Sequence, residues 1–441
     1  MIYVIADDLT GANDTGVQFS KKGYKTVVVV PDRSLCAFDK SQIDVLVIDT
    51  ETRHLDSKGA RKSIKNILET LDFGEGDIVY KKIDSTLRGN IGIEIDEIMK
   101  SLKRNICIFV PSFPSYKRIT VGGSLLIQGK SLVKSEYFND NLRKNEKSHI
   151  LVLLKSQTDL PISRIDLKDV IKGQEAILQS LKKNLQDRNK IVVIDAVNEE
   201  HLSEIYDSSL KLNGSILYAG SAGLASQFAV IDYQETGKAK EFNFESEKSN
   251  GAVLIISGSR SATTESQILY LKKMTNIFEL NIDIEEVLYK RQKILEKYVK
   301  DSIQILTKEY CLIIRAIPLF NREMFLKNFI VNKRVNFREL EVTIQEFFGE
   351  VVAKVYKKYA FENLILIGGD TAFGVCSKMG ICTLNILDEL LPGIPVSFSS
   401  LNKYAKLKIV TKAGGFGEED TLYKLIDMLI NNKMKSKLLK S

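Results

Sequence analysis

The sequence predicts an α/β protein made of two α/β domains, each with a mainly parallel sheet flanked by helices, with the active site in the interdomain cleft. Three observations predict it. Short apolar runs recur with amphipathic stretches between them, the alternation that builds βαβ units. Acidic, Asp/Ser/Thr/Arg and glycine-rich clusters directly follow several of those runs, where an open parallel sheet binds its ligands. From Tyr233 to Asn250 the apolar periodicity gives way to Lys, Glu, Ser and Asn. That change divides the chain into a domain at 1–235, a linker at 236–250 and a domain at 251–441.

The elements follow in order. Ile2 to Ala6 reads as a buried first strand, and the next strands of the first domain are Thr26–Val30, Val45–Asp49, Ile78–Tyr80, Ile106–Val110, Ile150–Leu154, Ile191–Asp195 and Ile216–Ala219. Amphipathic helices are expected at Ser57–Leu71 and Val170–Leu185, with another from Ile93 to Lys100. Pro111–Leu132, with its prolines and paired glycines, breaks the rhythm and reads as a loop or hairpin beside the site. In the second domain the strands are Ala252–Ile256, Cys311–Ala316, Leu364–Ile367 and Leu407–Val410. Helices at Thr264–Met274, Ile284–Leu306, Leu340–Tyr359 and Thr421–Ile430 cover them.

Composition narrows the class. The 63 basic residues exceed the 56 acidic ones by 7, spread along the chain, which suits an anionic small substrate as well as a nucleic acid. The absence of Trp and of any interleaved aromatic and basic stripe argues against nucleic acid. Five cysteines (Cys36, Cys107, Cys311, Cys376 and Cys382) show no CxxC spacing and read as buried, reduced thiols. The chain opens in a strand without a signal-peptide pattern, and no apolar run approaches the ~18 residues of a spanning helix. A cytoplasmic enzyme with a fraying Lys-rich tail, Lys433 to Ser441, is expected.

The chemistry concentrates at strand ends. Asp7-Asp8-Leu9-Thr10-Gly11-Ala12-Asn13-Asp14 lies where the first strand hands over to a helix, and its carboxylate pair suits a metal, a proton or a hydroxyl. Lys81-Lys82-Ile83-Asp84-Ser85-Thr86-Leu87-Arg88-Gly89-Asn90 packs acid, hydroxyls and a guanidinium after Ile78–Tyr80. Arg88 there suits a small acid's carboxylate and Asp84 a substrate hydroxyl, against the plainer alternative of a helix cap with Arg88 in solvent. Glu51-Thr52-Arg53 is a third such end. In the second domain Ser257-Gly258-Ser259-Arg260-Ser261, Gly368-Gly369-Asp370-Thr371 and Gly414-Gly415-Phe416-Gly417 each follow a strand. Backbone N–H groups in such turns, with a helix N-terminus behind them, favour phosphate.

Other readings fail on their own requirements. Gly123-Ser124-Leu125-Leu126-Ile127-Gln128-Gly129-Lys130-Ser131 ends like a P-loop but has five residues between its glycines and an apolar interior. No GxGxxG follows a first strand, and His54, His149 and His201 are too scattered for a zinc site. Tyr218-Ala219-Gly220-Ser221-Ala222-Gly223 is a packed turn rather than a hydrolase elbow.

Taken together, ADDLTGANDTG, KKIDSTLRGNIG, PSFPSYKRITVGG, YAGSAGLA, SGSRSATTESQ, IGGDTAFGV, LLPGIPV and KAGGFGEED resemble, in order and over nearly the whole chain, the four-carbon acid sugar kinase family. The resemblance implies ATP-dependent phosphorylation of the terminal hydroxyl of a tetronate, with the sugar acid on the N-terminal domain and ATP on the C-terminal one. KIDSTLRGN looks like the D-threonate and D-erythronate branch. It lacks the longer CSTFDST-type insertion of 3-oxo-tetronate kinases, which remain the alternative beside a non-catalytic sugar-acid-binding protein. Gly415 departs from the family's frequent Asn.

On that resemblance Asp8 takes the hydroxyl proton or orients the hydroxyl, with Asp84 as second candidate. Asp7, Arg53, Lys82, Ser85 and Arg88 hold the sugar acid. Ser257, Ser259, Gly368, Gly369, Asp370, Thr371, Gly414, Gly415 and Gly417 cradle ATP, which brings Mg²⁺ bridging its phosphates. The expected partners are the sugar acid and ATP, with a homodimer as an allowed assembly and neither nucleic acid nor membrane.

Overall fold

The computed structural model describes residues 1–30, 42–74, 76–134, 149–230, 251–316, 337–404 and 406–430. The linker expected at 236–250, Cys36 and the tail from Lys433 lie outside them. The described residues fall into two compact units, one holding 1–28 and 42–230, the other 29–30 and 251–430.

In the first unit the strands are β1 (Ile2–Ala6), β2 (Thr26–Val29), β3 (Val45–Asp49), β4 (Ile78–Lys82), β5 (Ile106–Val110), β6 (Arg118–Val121), β7 (Ser124–Ile127), β8 (Lys130–Ser131), β9 (Ile162–Ile165), β10 (Ile191–Ile194) and β11 (Ile216–Gly220). The sheet runs β2-β3-β1-β4-β11-β5-β10-β9. Every pairing from β3 to β9 is parallel. Its helices are α1 (Leu9–Ser20), α2 (Ser57–Thr70), α3 (Ile91–Ser101), α4 (Ile150–Lys155), α5 (Leu167–Val170), α6 (Gln174–Gln186), α7 (Glu199–Leu210) and α8 (Ala222–Ala225). Ile64 and Leu68 of α2, Ile95 and Ile98 of α3 and Leu154 of α4 share one core with Ile5, Val79, Cys107, Val193 and Leu217 of the strands.

The chain leaves β1 for β2 and β3 on one side and comes back to β4 on the other. That reversal makes the carboxyl ends of β3, β1 and β4 a switch point, the place where open parallel sheets bind ligands. The expected hairpin within Pro111–Leu132 is present as the antiparallel set β6-β7-β8. The P-loop-like stretch from Gly123 to Ser131 runs through that set and is strand, not a phosphate loop.

In the second unit β12 (Val253–Ser257), β13 (Phe278–Ile282), β14 (Cys311–Ala316), β15 (Asn363–Ile367), β16 (Thr383–Leu391), β17 (Ile394–Ser399) and β18 (Lys408–Lys412) form a sheet of order β13-β14-β12-β15-β18-β17-β16. It is parallel from β13 to β18, and the β16–β17 hairpin closes its edge antiparallel. The helices are α9 (Ala262–Met274), α10 (Ile284–Leu306), α11 (Phe337–Lys358), α12 (Gly369–Met379) and α13 (Thr421–Ile430). A second reversal falls between β12 and β15, since β14 and β15 flank β12.

Two expectations are corrected. Ile150–Leu154 is helix α4, with Ile150, Leu153 and Leu154 buried and Val152 39% exposed. That burial has the helical period, which a five-residue apolar run cannot show by itself. The single helix expected over Val170–Leu185 is two, α5 and α6. Between them the chain turns at Gly173, whose φ of 87° lies in the left-handed region that glycine takes without strain.

Candidate active site

Each carboxyl end at the first switch point contributes a charged group. Asp8 follows β1, is extended, and caps α1: its Oδ1 accepts from Gly11 N–H at 2.9 Å. Asp7 is one residue earlier. After β3 the chain turns through Glu51, at φ 49°, and brings Arg53 back over β1. Arg53 Nε and Nη2 donate to Asp7 Oδ2 and Oδ1, both at 2.8 Å. Its Nη1 and Nη2 donate to Asp8 Oδ2 at 2.6 Å and Oδ1 at 2.7 Å. One guanidinium therefore fixes two adjacent carboxylates, with bidentate geometry on each.

Burial raises the Asp7 carboxyl, but Arg53 and then Lys81 outweigh it and hold it below the usual carboxylate range. Burial likewise works against the Arg53 charge, and Asp7, Asp8 and Asp84 overcome it, holding Arg53 well above its ordinary value. Asp84, after β4, lies 3.8 Å from Arg53 Nη2. Its oxygens accept from Arg88 Nε at 2.7 Å and Nη2 at 3.0 Å. Arg88 is 44% exposed at the side chain yet tied to Asp84, so neither guanidinium is free of the chain's own carboxylates.

Lys82 differs. Strand alternation sends Lys81 and Lys82 to opposite faces of β4. Lys82 is buried, its Nζ donates to Ile83 O at 2.9 Å, and it has no ion pair among the described residues. A Cβ added at Gly11 would lie 2.7 Å from Asp8 Oδ1 and 3.0 Å from Lys82 Nζ, so that ammonium borders the Asp8 carboxylate across a glycine. Ser85, also buried, accepts a hydrogen bond from Arg118 Nη1 of β6.

Sequence reasoning left out the support beneath these groups. Lys81 points the other way and pairs with Glu94 of α3 at 2.6 Å, both side chains 1% exposed. Glu94 Oε1 accepts from Thr52 Oγ1 at 2.6 Å, Thr52 meets the Thr50 hydroxyl at 2.7 Å, and Thr50 Oγ1 donates to Ala6 O at 2.8 Å. This network ties the Thr50–Arg53 turn to β1 and α3. Asp49, fully buried at the end of β3, accepts from Glu51 N–H at 3.1 Å through Oδ1, while its Oδ2 has no partner among the described residues. Burial, with the Asp8 charge beside it, pushes the Asp49 carboxyl up to about 8. The adjacency of an apolar strand, an acid and a left-handed turn was its only signal. Arg118 was inside a quoted motif but gave none.

In the second unit the three glycine-rich turns leave β12, β15 and β18, three strands adjacent in the sheet. They are laced together. Gly258 N–H donates to Thr371 Oγ1 at 3.2 Å, Gly368 N–H to Lys412 O at 2.9 Å and Thr264 Oγ1 to Gly414 O at 2.8 Å, while the Thr264 and Ser259 hydroxyls meet at 2.9 Å. A Cβ at Gly414 would overlap Ser259 Oγ, so a larger residue there would displace the Ser259 hydroxyl. Gly369, Asp370 and Thr371 form the first turn of α12, whose N-terminus has no side-chain cap; the start of a helix presents backbone donors of the kind that suit an anion. Ser257 ends β12, and Gly415 and Gly417 stay in the third turn, before α13.

Among the described residues no group of three or more His, Cys, Asp and Glu side chains is arranged to hold a metal, and no helix is long and apolar enough to cross a membrane.

Comparison with known proteins gives two family matches, a sugar-binding N-terminal domain over residues 2–228 and a nucleotide-binding C-terminal domain over residues 254–422. A D-threonate kinase of Salmonella typhimurium is 28% identical, over 96% of each chain. A D-erythronate kinase of Heliobacterium modesticaldum is 24% identical over 97% of each, and a 3-oxo-tetronate kinase of Haemophilus influenzae is 25% identical over 95% of this chain and 98% of its own. Crystal structures from Salmonella typhimurium LT2 (24% identity, TM-score 0.76, 96% of this chain and 98% of that one) and Haemophilus influenzae (23%, 0.68, 97% and 100%) share the fold.

Proposed function

This chain belongs to the four-carbon acid sugar kinase family and is an ATP-dependent kinase, and on that premise we propose that it phosphorylates the terminal hydroxyl of D-threonate or D-erythronate. The observation that carries the reading is the Asp7–Asp8–Arg53 ion-pair cluster at the switch point, with Asp84 and Lys82 at the neighbouring strand end. Phosphoryl transfer needs little covalent help from the protein; it needs positioning, charge compensation and an acceptor for the hydroxyl proton.

Asp8 takes that proton as the hydroxyl oxygen attacks the terminal phosphorus of ATP. The new O–P bond forms as the bond to the departing ADP breaks. Arg53 keeps Asp8 aimed and Asp84 is the second acceptor. Lys82, a cation without a carboxylate partner among the described residues, receives the substrate's carboxylate, with Ser85 and Arg88 beside it. The backbone donors of the three turns, with Ser257, Ser259, Asp370 and Thr371, receive the triphosphate. Their oxygen donors suit a hard cation, so Mg²⁺ held mainly by phosphate and water fits there and would offset the charge that develops on transfer.

A 3-oxo-tetronate is the competing substrate, because a relative of that name matches the chain at similar identity. The test is phosphorus NMR of reaction mixtures holding ATP and, separately, D-threonate, D-erythronate and a 3-oxo-tetronate. A 4-phosphate formed fastest from one of the first two supports the proposal. Preferential turnover of the oxo-acid would replace it.

A further inference from the structure

Lys412 ends β18 on the face that carries Ile367 and Val410, both members of the second unit's apolar core. The residue is fully buried. Its Nζ donates to Ala413 O at 3.0 Å and Gly414 O at 3.3 Å. The charged groups on the elements around it are Arg260 and Glu265 near the start of α9, Asp370 on α12, and Glu418, Glu419 and Asp420 past the turn. Arg260 is paired with Glu341, Glu265 with Arg315 and Asp420 with Lys424. None of the carboxylates is ion-paired with Lys412. A buried ammonium facing only carbonyls is costly unless an anion joins it.

The carbonyls it holds matter for what they turn outward. Ala413 O also accepts from Phe416 N–H at 3.1 Å, and Gly414 O also accepts from Thr264 Oγ1, so each has two donors holding it inward. In a planar trans peptide the N–H points opposite to the C=O. Holding Ala413 O inward therefore turns the N–H group of Gly414 away from Lys412, toward the mouth of the turn. An outward backbone N–H in a glycine turn is a donor for an anion.

We propose that Lys412 is a positioning residue of the nucleotide site: its ammonium aims the Gly414 N–H group at a nucleotide phosphate, and it gains a proton as that phosphate binds. The inference rests on the reading of the second unit as the ATP-binding one. Burial without a counter-charge brings the Lys412 amine down to about 7, so near neutral pH part of the free protein carries it uncharged. A bound phosphate favours the charged form. ATP affinity is then highest below that value and falls, by up to about tenfold per pH unit, as pH rises toward the value in the complex.

The experiment is calorimetric titration of the full chain with MgATP, without sugar acid, at several pH values between 6 and 9 in buffers of low and high ionisation enthalpy. The proposal predicts proton uptake that is absent at pH 6 and approaches one proton per nucleotide near pH 8. Lys412→Arg, charged throughout, is predicted to bind MgATP without uptake, and Lys412→Met to bind at least about tenfold more weakly, each with a wild-type circular dichroism spectrum. The wild-type titration decides the matter even where a substitution unfolds the chain. MgATP binding with no buffer-dependent heat from pH 7 to 9, or unchanged uptake in Lys412→Arg, overturns the Lys412 assignment alone. Failure of the folded wild-type chain to bind MgATP overturns the nucleotide-site reading and this inference with it.

Discussion

Arg53 and Asp7 are locked by two parallel hydrogen bonds of 2.8 Å, Nε to Oδ2 and Nη2 to Oδ1, and the same guanidinium reaches on to both oxygens of Asp8. Four charge-assisted bonds from one planar group leave the two carboxylates little freedom. Arg53 is 9% exposed at its side chain, so solvent does little to screen the pairing. In the proposed reaction Arg53 acts through Asp8, making it a positioning residue.

Replacing Arg53 by Lys keeps the charge and removes the fork. We predict a fall in kcat of at least about tenfold, equivalent to about 1.4 kcal/mol in the barrier, with little change in KM for ATP. Steady-state kinetics with the sugar acid and ATP varied in turn would check it. A proportionate rise in both KM values with kcat intact would argue against a positioning role.

Lys82→Met removes the buried cation that borders Asp8 without breaking any ion pair among the described residues. KM for the sugar acid is predicted to rise about tenfold or more, in keeping with the loss of one charged hydrogen bond, while KM for ATP stays within about twofold. A matched rise for both substrates would remove Lys82 from the sugar-acid site.

Asp49 couples the site to pH. Its carboxyl binds a proton in the folded chain up to about pH 8, whereas in the unfolded chain it titrates near the ordinary Asp value of about 4. The folded state therefore holds the extra proton across that window, and this group's contribution to stability declines as pH rises through it. Asp49→Asn, which keeps the acceptor for Glu51 N–H, should raise Tm at pH 9 more than at pH 5. Equal shifts at the two pH values would contradict a protonated Asp49.

Much of this was legible in the sequence because strand ends carry their chemistry locally. The runs before Asp7, Glu51 and Lys81 are short and apolar, and the parallel sheet brings their ends together at one switch point. The three glycine turns were legible for the same reason. The partnerships were not. That Arg53 engages Asp7 and Asp8, while Lys82 engages no carboxylate among the described residues, depends on the turn at Glu51 folding back over β1. Asp49, Glu94 and Lys412 are ordinary letters in an apolar context until burial and the absence or presence of a partner give them meaning. The β16–β17 hairpin and the edge strand β13 were missed because mixed polar and apolar residues there weaken the pattern of a buried strand. Ile150–Leu154 was misread for the opposite reason, a run too uniformly apolar to reveal its period.

The central claim is that Asp8 accepts the proton from a four-carbon acid's hydroxyl as ATP is cleaved. Asp8→Asn tests it most directly, because Asn caps α1 as well as Asp does and keeps nearly the same shape. With D-threonate and D-erythronate in a coupled ADP-release assay, the wild-type chain is predicted to release ADP only when the acid is present. The variant is predicted to lose about 10²- to 10⁴-fold in kcat while its Tm stays close to wild type. Wild-type kcat in Asp8→Asn would contradict the account.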